Sequence, residues 1–286
     1  MATRNNHNVG LLLFTDEANS GLTHQYFAPI IDSVKRTLEA KGYDVMFLNA
    51  SKANGQHMSY VEKAVQKRLD GVVIAYIDFD DPEVQELLAS GIPIVAIDQE
   101  IPGGSCVMSD NEGGIRGLTE YILGMGHKRI AYIHGDLNTV TRIRIKGFLN
   151  TCEAHGIEIP KEYLICSSYC DIDKATYYTE SLLRLEKPPT CILYSDDIAA
   201  IGGINMLRAR GMRIPKDISI AGYDGIHMVA QFSPKLTTVK QNTREIGLKA
   251  AEKLLAMIEN PDGADSTPVV IDTILDEGKT VARRYL

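Results

Sequence analysis

Apolar and polar positions alternate in blocks along this chain. Val9-Gly10-Leu11-Leu12-Leu13-Phe14 is a continuous apolar run, suited to a strand buried on both faces. A polar loop over 15–23 follows. Phe27, Ile30, Ile31, Val34 and Leu38 then recur at helical spacing and predict an amphipathic helix, which Gly42 stops. Tyr43 to Leu48 reads as a second strand. Met58 to Leu69 reads as a second helix, with Val61, Val65 and Leu69 inward. Asp70-Gly71 turns into a third strand, Val72 to Ala75. A short helix, Val84 to Ala89, precedes a fourth strand, Ile92 to Ile97, that ends at Asp98.

The alternation then starts again. Cys106 to Met108 is short and extended. Asn111 to Met125 is a helix with Ile115, Leu118, Ile122 and Met125 inward, closed by Gly126. Arg129 to His134 is a strand that meets the loop from Gly135 to Val140. A helix from Thr141 to His155 carries Arg144 near its start. Glu162 to Cys166 is a strand, with Tyr169 in the loop beyond it, and Ala175 to Leu185 is helical. Pro188-Pro189 breaks the chain before the strand Cys191 to Tyr194 and the helix Ile198 to Arg210. The strand Ile218 to Gly222 ends at Tyr223-Asp224. Leu236 to Val239 leads through Gln241 to a long helix, Thr243 to Glu259. A turn at 260–263 precedes one last strand, Val269 to Ile274. Repeated strand–helix units predict an α/β fold of two doubly wound parallel-sheet lobes.

Polar residues sit at the strand tips, where open α/β sheets bind their ligands. Asp16, Tyr76, Asp78 and Asp98 follow strands of the first half. In the second half, Asp196-Asp197 stands between a strand and a helix. A carboxylate there can cap the helix it opens. At Asp197 capping or scaffolding and ligand contact stay open. Asp196, nearer the strand tip, is read as a ligand contact. If the two lobes face each other, Asp16, Asp98, Arg144, Tyr169, Asp196 and Asp224 meet in one cleft. Carboxylates accept from hydroxyl groups, Arg donates in a fixed fork, and an aromatic ring offers a face to a sugar's C–H surface or a base. That mix suits a small polyhydroxylated ligand.

Other chemistry finds little footing. Asp80-Asp81 and Asp196-Asp197 are sequence neighbours, which point apart, whereas glycoside cleavage needs two carboxyls facing one bond. No Gly-x-Ser-x-Gly, Walker loop or dinucleotide fingerprint occurs. Gly113-Gly114 and Gly117 read as packing glycines, and His134 and His227 as satisfied loop histidines. No enzyme activity, metal or cofactor is expected. The 286 residues are 44% apolar and 23% charged, ordinary for a two-domain globular chain. A net charge of −7 argues against a nucleic-acid or membrane surface formed by these residues. Lys128-Arg129 and Arg283-Arg284 read as solvated pairs. The polar start, Met1 to Asn8, predicts no export signal. The five scattered cysteines read as free thiols of a reducing cytoplasm.

Four segments together resemble the effector-binding region of the lactose-repressor (LacI/GalR) family. They are Gly126-His127-Lys128-Arg129-Ile130-Ala131-Tyr132-Ile133 with Arg144-Ile145-Lys146-Gly147-Phe148; Asp196 to Gly202; Ile214 to Asp224; and Leu236 to Gln241. The likeness runs from about Asn8 to the end. It implies a periplasmic-binding-protein-like, type I fold crossed three times, near Ser109, Gln241 and Asp272. One lobe then takes 8–109 with 242–271, the other 110–241 with 272–286. It also implies an effector in the cleft. By motif position Arg144 donates to ligand hydroxyls, Asp224 accepts from them, Asp98 is a first-lobe contact, Tyr169 stacks on the ligand and Gln241 is a hinge-side contact. Asp196 stands where the family carries Asn, which exchanges a donor for an acceptor.

The resemblance further implies a homodimer that binds operator DNA through an N-terminal helix-turn-helix. That module is not in this sequence, so the chain is expected to be a regulatory core separated from it, the alternative being a DNA module that is absent or of another type. The first-lobe dimer surface is expected on the helices of 58–69 and 84–89. Several acidic strand tips against Arg144 favour a neutral sugar over a phosphorylated one, while a nucleoside or purine stays open through Tyr169. The rival class is a solute-binding protein feeding a sugar transporter.

Overall fold

The computed structural model describes residues 6–13, 22–48, 57–75, 77–102, 104–261, 263 and 265–284. Phe14, Asp16, Tyr76 and Asp262 lie outside them. In chain order the elements are β1 (Asn8–Leu13), α1 (Phe27–Glu39), β2 (Asp44–Phe47), α2 (Tyr60–Gln66), β3 (Gly71–Ala75), α3 (Pro82–Ala89), β4 (Ile94–Ile97) and β5 (Ser105–Ser109). There follow α4 (Asn111–Gly124), β6 (Ile130–His134), α5 (Thr139–Ala154), β7 (Leu164–Cys166), α6 (Ile172–Leu183), β8 (Cys191–Tyr194), α7 (Asp197–Ala209), β9 (Ser219–Asp224) and β10 (Thr237–Gln241). Last come α8 (Thr243–Glu259), β11 (Val269–Ile271) and β12 (Thr273–Asp276). Short 3-10 helices cover Lys161–Tyr163 and His227–Gln231.

The chain divides into two units, Met1–Ser109 with Asn242–Ile271 and Asp110–Gln241 with Asp272–Leu286. The first holds a six-stranded sheet in the order β11-β5-β4-β3-β1-β2, parallel at every pairing. The second holds β12-β10-β9-β8-β6-β7, parallel except where β12 runs against β10.

The continuous apolar runs follow from helices on both faces of each sheet. In β1, Val9, Leu11 and Leu13 pack against α1 and α8 through Ile30, Val34, Ala250 and Leu254. Leu12, on the opposite face, joins Tyr60, Val84 and Leu87 of α2 and α3. β6 repeats the scheme: Ala131 and Ile133 meet Ala175, Leu182, Ala199 and Ile204, while Ile130 and Tyr132 meet Ile115, Leu118 and Phe148. Every strand residue of β6 and β8 is buried, so these two carry fixed strand tips.

Three expectations from sequence need correction. The second helix is shorter than Met58 to Leu69, because Ser59 and Glu62 form a reciprocal capping box that starts it at Tyr60. Tyr60 and Ala64 then face inward, and Val65 is 67% exposed. The strand expected over Glu162 to Cys166 starts only at Leu164, after the 3-10 turn that follows Pro160. The single strand expected over Val269 to Ile274 is two. Val269–Ile271 pairs with β5 in one sheet and Thr273–Asp276 with β10 in the other, so the polar pair Asp272-Thr273 marks a change of partner.

Candidate functional site

In the second unit the polar residues gather where β6, β8, β9 and β10 end. Asn138 opens α5 by accepting from the Thr141 amide at 2.8 Å. Two turns on, the same helix carries Arg144, 3% exposed. Its Nε donates to Asn111 Oδ1 at 2.8 Å and its Nη1 to the Ser195 carbonyl at 3.3 Å. Its guanidinium carbon lies 3.6 Å from the centre of the Tyr223 ring. A desolvated cation over an aromatic face gains roughly 2 kcal/mol. Burial works against the charge, and the Asp224 carboxylate works for it; the net direction is toward a guanidinium held firmly protonated.

Tyr169 lies against Gly135, where any Cβ would collide with its ring. Its hydroxyl shares a 2.7 Å hydrogen bond with Thr141 Oγ1, which also donates to the Asp136 carbonyl. Burial raises the Tyr169 pKa, with Arg144 opposing, so the phenol stays neutral. His134, at the end of β6, is buried with Nδ1 2.8 Å from the Gly135 carbonyl, so Nδ1 carries the proton. Burial lowers its pKa and keeps the ring neutral.

The two adjacent aspartates take roles that the sequence left partly reversed. Asp196, 1% exposed, caps α7: its Oδ1 accepts from the Ala199 amide at 2.8 Å. Its Oδ2 accepts from the Cys170 amide at 3.0 Å and the Ser195 hydroxyl at 2.7 Å. The cap therefore falls on Asp196, not on Asp197. Oδ2 already accepts twice, whereas Oδ1 accepts once, so capping leaves Oδ1 a position for a further donor. Asp197 faces inward, with Oδ1 accepting from Thr238 Oγ1 at 2.6 Å and Oδ2 from the Ile226 amide at 2.9 Å.

Asp224 closes β9 with φ of 101°, a conformation that costs a non-glycine residue about 1–3 kcal/mol. Its Oδ1 accepts from Gln241 Nε2 at 2.7 Å. Gln241 is 3% exposed, and its Oε1 has no hydrogen-bond partner among the described residues. Burial pushes the Asp224 carboxyl well above the ordinary carboxylate range; Arg144 opposes this, and Asp196 and Asp197 reinforce it. Such a group is stabilised as a carboxylate by any hydroxyl that donates to it.

In the first unit, Asp98 follows β4 with φ of 62°. Its amide donates to the Val107 carbonyl at 3.0 Å, and its Oδ2 accepts from the Tyr26 hydroxyl at 2.9 Å. Asp16 lies outside the described residues. Asp81, half of the other acidic pair, caps α3 through the Glu83 amide at 2.8 Å. No disulfide joins any of the five cysteines, and burial pushes Cys106 and Cys152 up to about 12.

Of the seven residues singled out from sequence, Arg144, Tyr169, Asp196, Asp224 and Gln241 are gathered in the second unit, and Asp98 belongs to the first. Asn111, Tyr223 and Thr141 were missed. Tyr223 had a usable signal, an aromatic ring directly before a strand-tip carboxylate. Asn111 and Thr141 read only as helix starts. The assembled chemistry is a buried cation, carboxylate acceptors, an amide and a phenol, groups able to hydrogen-bond a neutral, hydroxyl-bearing molecule.

The family described as periplasmic binding proteins and sugar binding domain of LacI family matches residues 6–276. The HTH-type transcriptional repressor PurR of Actinobacillus pleuropneumoniae is 30% identical over 280 residues, 96% of this chain and 80% of that protein. PurR of Haemophilus influenzae is 30% identical over 258 residues, 89% of this chain and 74% of that protein. Among solved structures, a regulatory protein of the LacI family from Chloroflexus aggregans superposes with a TM-score of 0.83 at 26% identity, covering 97% of this chain and 99% of that one.

Proposed function

The chain belongs to the family of periplasmic binding proteins and LacI-type sugar-binding domains, and from that premise we propose that it senses a small neutral sugar for a transcriptional repressor. It is the effector-binding regulatory core of a LacI-type regulator. One observation carries the sugar reading: the buried guanidinium of Arg144 is oriented by Asn111, Ser195 and Tyr223 close to an acidic strand tip, Asp224, braced by Gln241. Arg144 donates to ring or hydroxyl oxygens. Asp224 accepts from hydroxyls, and the Gln241 Oε1 offers a second acceptor. Tyr169 supplies the apolar face. Asp98, braced by Tyr26, and Asp16 add acceptors from the first lobe. A phosphate would meet Asp196 and Asp224 across a low-dielectric site and gain only Arg144.

Effector binding shifts the repressor between two states in proportion to its differential affinity for them, and operator affinity follows by linkage. The working unit is a cytoplasmic homodimer whose paired helix-turn-helix heads contact the operator. Its first-lobe contact uses the outer face of α2, where Val65 is exposed, and α3. No described helix is long and apolar enough to cross a membrane. The transporter reading is not favoured: the PurR relatives are repressors, and no disulfide joins any of the five cysteines, as in a reducing compartment.

Thermal unfolding with pentoses, hexoses, phosphosugars, nucleosides and purine bases tests this. A ligand that binds only the folded chain raises the midpoint. A rise with a neutral sugar is expected; a rise only with phosphosugars, nucleosides or bases would overturn the effector class.

A further inference from the structure

Asp197 is fully buried, and its carboxylate is directed into the protein. Oδ1 lies over Gly222, so close that a Cβ on that residue would overlap it, and accepts from the Thr238 hydroxyl of β10. Oδ2 accepts from the Ile226 amide, and the Gly225 amide adds a further favourable interaction. The carboxylate thus ties the start of α7 to β10 and to the two residues that follow Asp224. Those residues turn the chain sharply: Asp224 has φ of 101° and Gly225 has φ of 67°. Consecutive left-handed residues persist only where the surroundings over-determine them. On the far side, Gln241 Nε2 holds the Asp224 side chain.

We propose that Asp197 is the positioning residue of the effector site: its carboxylate clamps the Gly225-Ile226 turn and thereby fixes the strained backbone that aims Asp224. The inference rests on the reading of Asp224 as an acceptor for effector hydroxyls. Gly222 is part of the device, since only a missing side chain lets the carboxylate reach Thr238 and the turn together.

The clamp is also pH-sensitive. Burial raises the Asp197 carboxyl to about 7, the Thr238 hydroxyl and Ile226 amide oppose this, and Asp196 adds to it. Around it, α7 contributes Asp196, β9 contributes Asp224 with Arg144 of α5 beside it, and β10 contributes neutral Thr238 and exposed Lys240. The 3-10 turn contributes exposed His227. Protonation puts a donor where Asp197 must accept, and the turn loosens as pH falls through that value.

The test is a pH titration of the ligand-free protein from about pH 5 to about pH 9, read by proton–nitrogen NMR at the Gly225 and Ile226 amides. Both resonances should move together with a midpoint near pH 7, and Asp197→Asn should abolish the movement. Flat resonances in the wild type would overturn the clamp. So would movement that survives Asp197→Asn and vanishes in Asp224→Asn. If Asp197→Asn does not fold, Thr238→Val removes one donor to the carboxylate and should raise the midpoint by at least about half a pH unit; an unchanged midpoint would overturn the proposal. No effector is added, so a failed sugar panel would sink the proposed function and leave this titration standing, and a flat titration would do the reverse.

Discussion

The guanidinium of Arg144 stacks 3.6 Å from the centre of the Tyr223 ring while its Nε donates to Asn111. The planar fork therefore has one allowed orientation, set before any effector arrives. Lysine keeps the charge and loses both the plane and the Nε–H. Arg144→Lys should weaken effector binding about 10–100-fold, equivalent to about 1.4–2.8 kcal/mol. Calorimetric titration checks it; affinity within about threefold of wild type would show that charge alone suffices.

Two glycines three residues apart on α4 should respond with opposite sign. Gly114 is buried against the Tyr223 hydroxyl, Thr273 Oγ1 at 2.7 Å and Val239 Cγ1 at 3.1 Å from a would-be Cβ. Gly114→Ala should cost about 1–3 kcal/mol through overpacking. Gly117 has nothing within 4 Å. Gly117→Ala should stabilise the helix by up to about 1 kcal/mol. Chemical denaturation of both variants distinguishes them.

The regularity that made the fold legible lies in the buried strands. β1, β3, β6, β8 and β9 each carry a continuous apolar run because each is covered on both faces, and periodicity reads that directly. What failed was local. Val65 continues a helical apolar pattern, but capping at Ser59 rotates the helix so that Tyr60 and Ala64 take the inner face. Val269 to Ile274 reads as one strand interrupted by Asp272-Thr273, and its two halves pair with different sheets, a tertiary choice the local pattern does not settle. At the site, strand-tip carboxylates were visible because polar residues interrupt apolar runs. Their division of labour was not: which of Asp196 and Asp197 caps the helix depends on backbone angles at the junction. Asn111 reaches Arg144 from 33 residues away, and nothing in its own segment signals this.

His127 is 1% exposed, with Nε2 at 3.0 Å from the Ala282 carbonyl and Nδ1 at 2.9 Å from Thr190 Oγ1. Burial lowers its pKa to about 4. The folded value lies below the ordinary value of about 6.5, so the unfolded chain binds the extra proton between them. This residue's contribution is present above about pH 6.5 and lost as pH falls toward about 4, on the order of 3 kcal/mol in all. His127→Gln should flatten the fall in melting temperature over that window. A variant with the wild-type slope would assign the acid sensitivity elsewhere.

Val65 bears on assembly. As an exposed residue, its replacement by glutamate should change the unfolding free energy by no more than about 0.5 kcal/mol. If α2 forms part of the homodimer contact, Val65→Glu should weaken the dimer markedly in sedimentation. An unchanged dimer would place the interface away from this helix.

The most direct test of the central claim is calorimetric titration of the best-binding neutral sugar against Asp224→Asn. Asparagine tolerates the positive φ that Asp224 adopts, so the turn is kept while the charged acceptor is removed. The account predicts at least about tenfold weaker binding by a variant that still folds without sugar. Affinity equal to wild type would contradict it, and would move the effector off this strand tip.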